Sequence, residues 1–195
     1  MKIETLARHP SFRENIRMAP ARFPWPTPAP GPRTYMLDGP SIVAALKECG
    51  ITHVIWIPDS DLGTWDAALS SAEGLSLIRV CREGEAFALA AGLHLGGRRP
   101  IILIQCTGLF EAGDALRNVI HDLNLPLFFV VGVRNYYSHQ QGATPDTCPV
   151  FAQPIMQAWK VPFVILDNRH SAQDLADAFR QAQAEKRAGC VLLAE

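Results

Sequence analysis

The stretch CREGEAFALAAG, Cys81 to Gly92, sets two carboxylates at the mouth of a segment made of alanine, glycine and large apolar residues. Such a segment is built for burial, and a buried carboxylate is costly unless something pairs with it. Glu83 and Glu85 therefore raise the question of what they pair with. The undemanding answer is the helix dipole, which favours acidic residues in a first turn by about 0.3–1 kcal/mol. Glu85 suits that answer better than Glu83. The other chemistry-bearing residues are scattered. His139 lies in RNYYSHQQG, and Ser60 and Asp61 in PDSDLGT. Gln105, Thr107 and Gly108 lie in QCTGLFEAGD, and Arg134 follows LPLFFVVGV. A histidine relays protons. Ser60 donates a hydrogen bond to an anion or caps the next helix. Thr107 and Gly108 offer a hydroxyl and a backbone donor, or form a plain turn. Arg134 suits an anionic substrate or the surface.

These residues need elements to hold them. DGPSIVAALKECG reads as a helix with an N-cap, a proline near its first turn and a closing glycine. HVIWIP, LSLIRVC, IILIQC, LPLFFVVGV, PFVIL and CVLLA read as strands, the third and fourth apolar throughout, as strands covered on both faces are. Helices are expected at 60–71, 83–95, 111–123, 150–159 and 172–186, and a long polar loop at RNYYSHQQGATPDT. Alternating strands and helices imply an α/β fold, a single doubly wound, mostly parallel sheet with helices on both faces. Ligands in such sheets bind where loops leave the carboxyl ends of strands. The four loops carrying the residues above are those loops.

Residues 1–36 differ. They hold seven of the fifteen prolines, and Lys2 and five arginines against Glu4 and Glu14. This reads as an extended Pro-rich arm, surface-hugging or clamping a partner through Phe23 and Trp25. The domain proper is expected at 37–195.

Several classes are set aside. A net charge of −1 in 195 residues gives no footprint for nucleic acid or an anionic membrane. No apolar run nears the roughly 18 residues of a membrane span. The five cysteines have no metal-ligand spacing and read as reduced packing residues of a cytoplasmic protein. GxGxxG, GxxxxGK[ST] and GxSxG are absent. His94 and His121 read as packing residues, and His53 and His170 give no signal.

REGEAFALAAG resembles the signature of the pyrimidine-binding domain of thiamine-diphosphate-dependent decarboxylases. In it, a glutamate after a strand is followed by an alanine-rich helix with a glycine nine positions on, the separation of Glu83 and Gly92. Glu85 does not fit that place. CREGEAFALAAGLHLGG, IILIQCTGLFEAGDALRN and LPLFFVVGVR, in this order, are similar to the branch of sulfopyruvate decarboxylase alpha subunits and to phosphonopyruvate decarboxylases. The resemblance implies that Glu83 bonds a ring nitrogen of the cofactor's aminopyrimidine and favours its imino tautomer. A carboxyl in an apolar site, its pKa raised, suits such proton sharing. It implies cofactor contacts for Thr107 and Gly108, and proton relay for His139, although the family loop has a histidine pair and this loop one. Ser60, Asp61 and Arg134 become candidates for binding a small anionic 2-keto acid.

The family's GDG…N motif, which binds Mg2+ and the cofactor diphosphate, is absent from this chain. The resemblance therefore implies a beta subunit carrying the diphosphate-binding domain, and an alpha-beta hetero-oligomer in which this chain self-associates. The function implied is the alpha subunit of a split 2-keto acid decarboxylase, sulfopyruvate-like. A phosphonopyruvate or other keto acid decarboxylase or carboligase subunit is the neighbouring reading. A non-catalytic flavodoxin-like binding or scaffold subunit is the reading from another class.

Overall fold

The computed structural model describes residues 37–59 and 62–194. The arm at 1–36, and Ser60 and Asp61, lie outside the described residues.

Six strands form one all-parallel sheet. They are β1 (His53–Trp56), β2 (Ser76–Arg79), β3 (Pro100–Gln105), β4 (Phe128–Val133), β5 (Phe163–Leu166) and β6 (Gly189–Ala194). Their order is β2-β1-β3-β4-β6-β5. The helices are α1 (Gly39–Glu48), α2 (Asp66–Ser70), α3 (Glu83–Leu95), α4 (Cys106–Glu111), α5 (Gly113–Arg117), α6 (Tyr136–Gln140), α7 (Cys148–Ala158) and α8 (Ala172–Ala184). The doubly wound expectation holds, with one apolar core on each face of the sheet.

Alternation along the central strands decides which residue enters which core. Ile55, Ile102, Ile104, Phe129 and Val131 pack with α3, α4, α5 and α7. Val54, Trp56, Ile101, Leu103, Phe128 and Val130 pack with α1, α2 and α8. The consecutive residues Phe128 and Phe129 show the split. Phe128 meets Phe179 of α8 edge-on at 5.4 Å, and Phe129 meets Phe87 of α3 at 5.2 Å. Every residue of β4 is buried, whereas the edge strand β2 has none that is. The apolar runs of β3 and β4 are thus those of strands covered on both sides.

Local signals set the helix ends where they are strong. The side chain of Asp38 accepts from Ser41 N at 2.7 Å, a proline occupies the first turn of α1, and Gly50 at φ +68 lets the chain turn away after it. Asp174 and Ser171 form a reciprocal capping box on α8.

Four segments depart from expectation. The helix expected at 60–71 is a 3-10 turn, Gly63–Trp65, followed by the short α2. The loop expected to carry Thr107 and Gly108 is helix, because α4 begins directly after β3. Its glycines disfavour helix locally, but Cys106, Leu109 and Ala112 go into the core and tertiary packing overrides the propensity. The single helix expected at 111–123 is divided into α4, α5 and a π turn at Asn118–Asp122. The long polar loop after β4 contains the short helix α6.

The strand order has a reversal that matters. From β1 the chain steps outward to β2, and from β3 it steps the other way to β4. The carboxyl ends of β1 and β3 therefore flank a topological switch point, where open α/β sheets hold ligands.

Candidate active site

Glu83 is the first residue of α3, entered from an extended Arg82 at φ −144, ψ 143. Its side chain crosses to α4 and lies over Gly108. A Cβ at Gly108 would stand 2.3 Å from Glu83 Cγ and Oε1 and 2.5 Å from its Cδ. Gly108 is thus a cradle, and any larger residue would occupy the space the carboxyl uses. Glu83 is half-buried. Among the described residues no hydrogen bond reaches its carboxyl group.

A half-buried carboxylate held by contact and without a hydrogen bond among the described residues fits a ligand donor such as a protonated ring nitrogen. Here the structure refines the reading of Gly108. The residue is buried in a helix rather than exposed in a turn, and it serves by having no side chain. Thr107 is exposed in the same first turn.

The rest of the corner contains a residue that the sequence did not mark. Glu111, the last residue of α4, accepts the Gly84 N–H at 3.0 Å and the Arg82 Nε–H at 3.0 Å, with a second bond from Arg82 Nη2. The Arg82 bonds, and then the Gly84 amide, hold the Glu111 carboxyl below its usual range. The first turn of α3 has no side-chain cap of its own. A carboxylate 27 residues away in sequence supplies one. Glu85 is exposed and accepts from the Cys81 N–H at 3.2 Å, a local bond of the helix start. Nothing in local spacing pointed to Glu111, because its partner lies in another helix.

Beyond β4 the picture is different. His139 sits half-buried on α6. Its neighbour Tyr137 donates a short hydrogen bond from its hydroxyl to Asp167, which follows β5. Asp167 is only 2 % exposed. It also accepts from the Arg169 N–H and Nε–H, both at 2.9 Å, and His170 Nδ1 lies 2.8 Å from its Oδ1. Burial pushes the Asp167 carboxyl up, but the bonds from Arg169 and Tyr137 outweigh it and leave it well below the usual carboxylate range. Burial, and then the bond to Asp167, push Tyr137 up to about 12. Nothing in the sequence marks Tyr137 or Asp167, since the bond between them joins two crossings of the sheet. No described contact joins His139 to Glu83.

Arg134 is exposed at the carboxyl end of β4, and its charge acts on Asp146. Asp146 in turn accepts from Asn135 Nδ2 at 3.1 Å and from the Cys148 N–H at 3.0 Å, tying α6 to the start of α7. Ser60 and Asp61 are outside the described residues, but the preceding Asp59 is anchored. It accepts the Leu62 N–H at 2.8 Å and the Trp56 indole N–H at 3.2 Å. No group of metal-binding side chains forms among the described residues. No helix among them is long and apolar enough to cross a membrane.

Known proteins resemble the chain in sequence and in fold. Over 94 residues the chain is 28% identical to the sulfopyruvate decarboxylase subunit alpha of Methanothermobacter thermautotrophicus, covering 48% of this chain and 57% of that protein. It is 32% identical over 91 residues to the phosphonopyruvate decarboxylase of Streptomyces viridochromogenes, covering 47% of this chain and 23% of that one. The chain thus spans a little over half the length of the first relative and under a quarter of the second. The crystal structure of benzoylformate decarboxylase from Polynucleobacter necessarius superposes with a TM-score of 0.64 at 19% identity, over 82% of this chain and 30% of that one, a likeness of fold. The family model for the thiamine pyrophosphate enzyme, N-terminal TPP binding domain, matches residues 39–154, from the start of α1 into α7 and across both the Glu83 and His139 corners. By that match, the chain belongs to the thiamine pyrophosphate enzymes, as their N-terminal TPP binding domain.

Proposed function

We propose that the chain is the alpha subunit of a split thiamine-diphosphate-dependent 2-keto acid decarboxylase acting on 3-sulfopyruvate, releasing sulfoacetaldehyde and carbon dioxide. The observation that carries the reading is the Glu83 carboxyl, seated on Gly108 and open to a donor. In the family domain to which the chain belongs, this is where a ring nitrogen of the pyrimidine would be met. Bound thiamine diphosphate would supply the electron sink that lets carbon dioxide leave a 2-keto acid. The chain's own part is narrower. Glu83 shares a proton at its carboxyl oxygen with the ring nitrogen. Gly108 leaves room for that carboxyl, and Thr107 lines the same turn. His139, on a helix tied down through Tyr137, donates or accepts a proton as product forms. Ser60, Asp61 and Arg134 bind the anionic end of the substrate.

The chain contains no GDG…N motif. We assign Mg2+ and the cofactor diphosphate to a beta subunit, joined to this chain in an alpha-beta hetero-oligomer. The name of the first relative, a subunit alpha, supports a partner. The similarity to a phosphonopyruvate decarboxylase supports a second substrate, a keto acid with phosphonate in place of sulfonate.

The test is assembly with diphosphate-domain subunits, thiamine diphosphate and Mg2+, followed by carbon dioxide release from a keto acid panel and deuterium exchange at the thiazolium carbon. Glu83→Gln keeps size but cannot share a proton as a carboxylate does. Exchange should slow by about 10²–10⁴-fold, the usual worth of a general acid–base group. His139→Ala should slow turnover while leaving cofactor affinity intact. No exchange in any wild-type assembly would favour the non-catalytic scaffold. Equal behaviour of Glu83→Gln and Glu85→Gln would remove Glu83 from the role.

A further inference from the structure

Arg82 and Glu83 are consecutive, and a guanidinium with five donors on a long side chain is a ready partner for any carboxylate within its reach. In this chain it does not pair with Glu83. Arg82 sends both its Nε–H and an Nη2–H to Oε1 of Glu111 instead. The other oxygen of Glu111 accepts the Gly84 N–H at 3.0 Å, so both of its oxygens are engaged. Glu83 is left with none of these donors among the described residues. We infer that Glu111 is a positioning residue that holds the Arg82 guanidinium away from Glu83 and so keeps the Glu83 carboxylate open to a ligand. The inference rests on the reading of Glu83 given above.

The geometry of α4 supports it. Gly108 and Glu111 are three residues apart in one helix, which places them on the same side. That side does two things to the start of α3. At Gly108 it provides the hollow that receives the Glu83 side chain. At Glu111 it engages the donors of the neighbouring Arg82, whose charge still acts on Glu83 but without a hydrogen bond to it. The Glu111 side chain is 32% exposed, while that of Arg82 is 77% exposed and free to rotate if released. A released Arg82 has Glu83 as its nearest carboxylate along the chain. The Gly84 bond adds a second consequence, since it fixes the backbone that directly follows Glu83.

The variant that tests this is Glu111→Gln. Its amide oxygen still accepts the Gly84 N–H, so the start of α3 stays capped, but the charge that retains Arg82 is gone. In a crystal structure of the full-length variant chain, an Arg82 nitrogen should lie within salt-bridge distance of Glu83. In the assembled complex, exchange at the thiazolium carbon should slow on the order of 10-fold or more, because a guanidinium bonded to the Glu83 carboxylate competes with the ring nitrogen for it. The double variant Arg82→Ala with Glu111→Gln should restore exchange to near the wild-type rate. A merely structural Glu111 predicts no such rescue, because removing Arg82 returns no lost contact. The inference is overturned if Arg82 stays on Gln at position 111 in the variant structure. It is also overturned if the double variant is as slow as the single one. If the wild-type complex shows no exchange, the reading of Glu83 fails and takes the ligand role of Glu111 with it. The position of Arg82 in the free variant chain is read independently of that.

Discussion

Glu83 and Asp167 both stand near carboxyl ends of strands in one sheet, and their surroundings are opposites. Asp167 is 2 % exposed and takes bonds from Tyr137 and from the backbone and side chain of Arg169. Glu83 is half-buried, rests on the bare backbone of Gly108, and has no hydrogen bond among the described residues. Burial penalises the charge of Asp167. There, several donors offset the penalty, and the carboxylate becomes a strut between α6 and the end of β5. At Glu83, the carboxylate is aimed but left unpaired. A saturated carboxylate has little left to offer a ligand, whereas an oriented and unsaturated one does. The same comparison separates Glu83 from Glu85, whose exposed carboxyl bonds the local Cys81 amide.

The sharpest way to break the comparison is Gly108→Ala. The new methyl would overlap the Glu83 carboxyl, whose flexible side chain can swing away. We expect exchange at the thiazolium carbon in the assembled complex to fall on the order of 10²-fold, the cost of a displacement near 1 Å at a reacting group. Thermal stability should change little or rise, since alanine is a better helix former than glycine by roughly 1 kcal/mol. A large fall in melting temperature with normal exchange would show that Gly108 serves the core and not Glu83.

Asp167→Asn inverts that pattern. It weakens a buried cluster, so it should cost about 1–3 kcal/mol. In a domain of this size, that is a drop of roughly 2–4 °C per kcal/mol in a melting scan. Cofactor affinity of the assembled complex should be unaffected. An unchanged melting temperature would demote the cluster to surface decoration.

Titration sharpens the contrast further. The folded Asp167 carboxyl titrates below its unfolded value of about 3.9, so its contribution is present above pH 4 and is lost as pH falls below it. Tyr137 is pushed up to about 12, above an unfolded value near 10. Its contribution is complete below pH 10 and fades as pH rises toward 12. Denaturant unfolding across pH should therefore show a plateau between those limits. Asp167→Asn should flatten the acid limb and Tyr137→Phe the alkaline one. The smallest effect belongs to Glu85→Gln, expected within about 0.5 kcal/mol in stability, with near-normal exchange. A loss matching that of Glu83→Gln would shift the site by two residues.

The amino-acid sequence by itself determined the alternation of strands and helices, the fully buried character of β3 and β4, and the start of α3 at Glu83. The first two rest on local periodicity and the third on acidic residues at the head of an alanine-rich run, signals carried within a dozen residues. The candidate carboxylate was legible for the same reason, as an acidic residue at the head of a small-residue helix. What holds it was not. Gly108 looked like part of a turn, and became a helical cradle because the residues around it enter the core. Glu111 carries no local signal, since it caps Gly84 from 27 residues away, and beside the local bonds of Arg169 and His170 the bond that makes Asp167 a strut comes from Tyr137, 30 residues away. Only the parallel crossings of the sheet bring α4 against the first turn of α3, and the helix after β4 over the end of β5. Pairing of charges across elements depends on distance in space, and in a doubly wound fold the tertiary structure alone decides that distance.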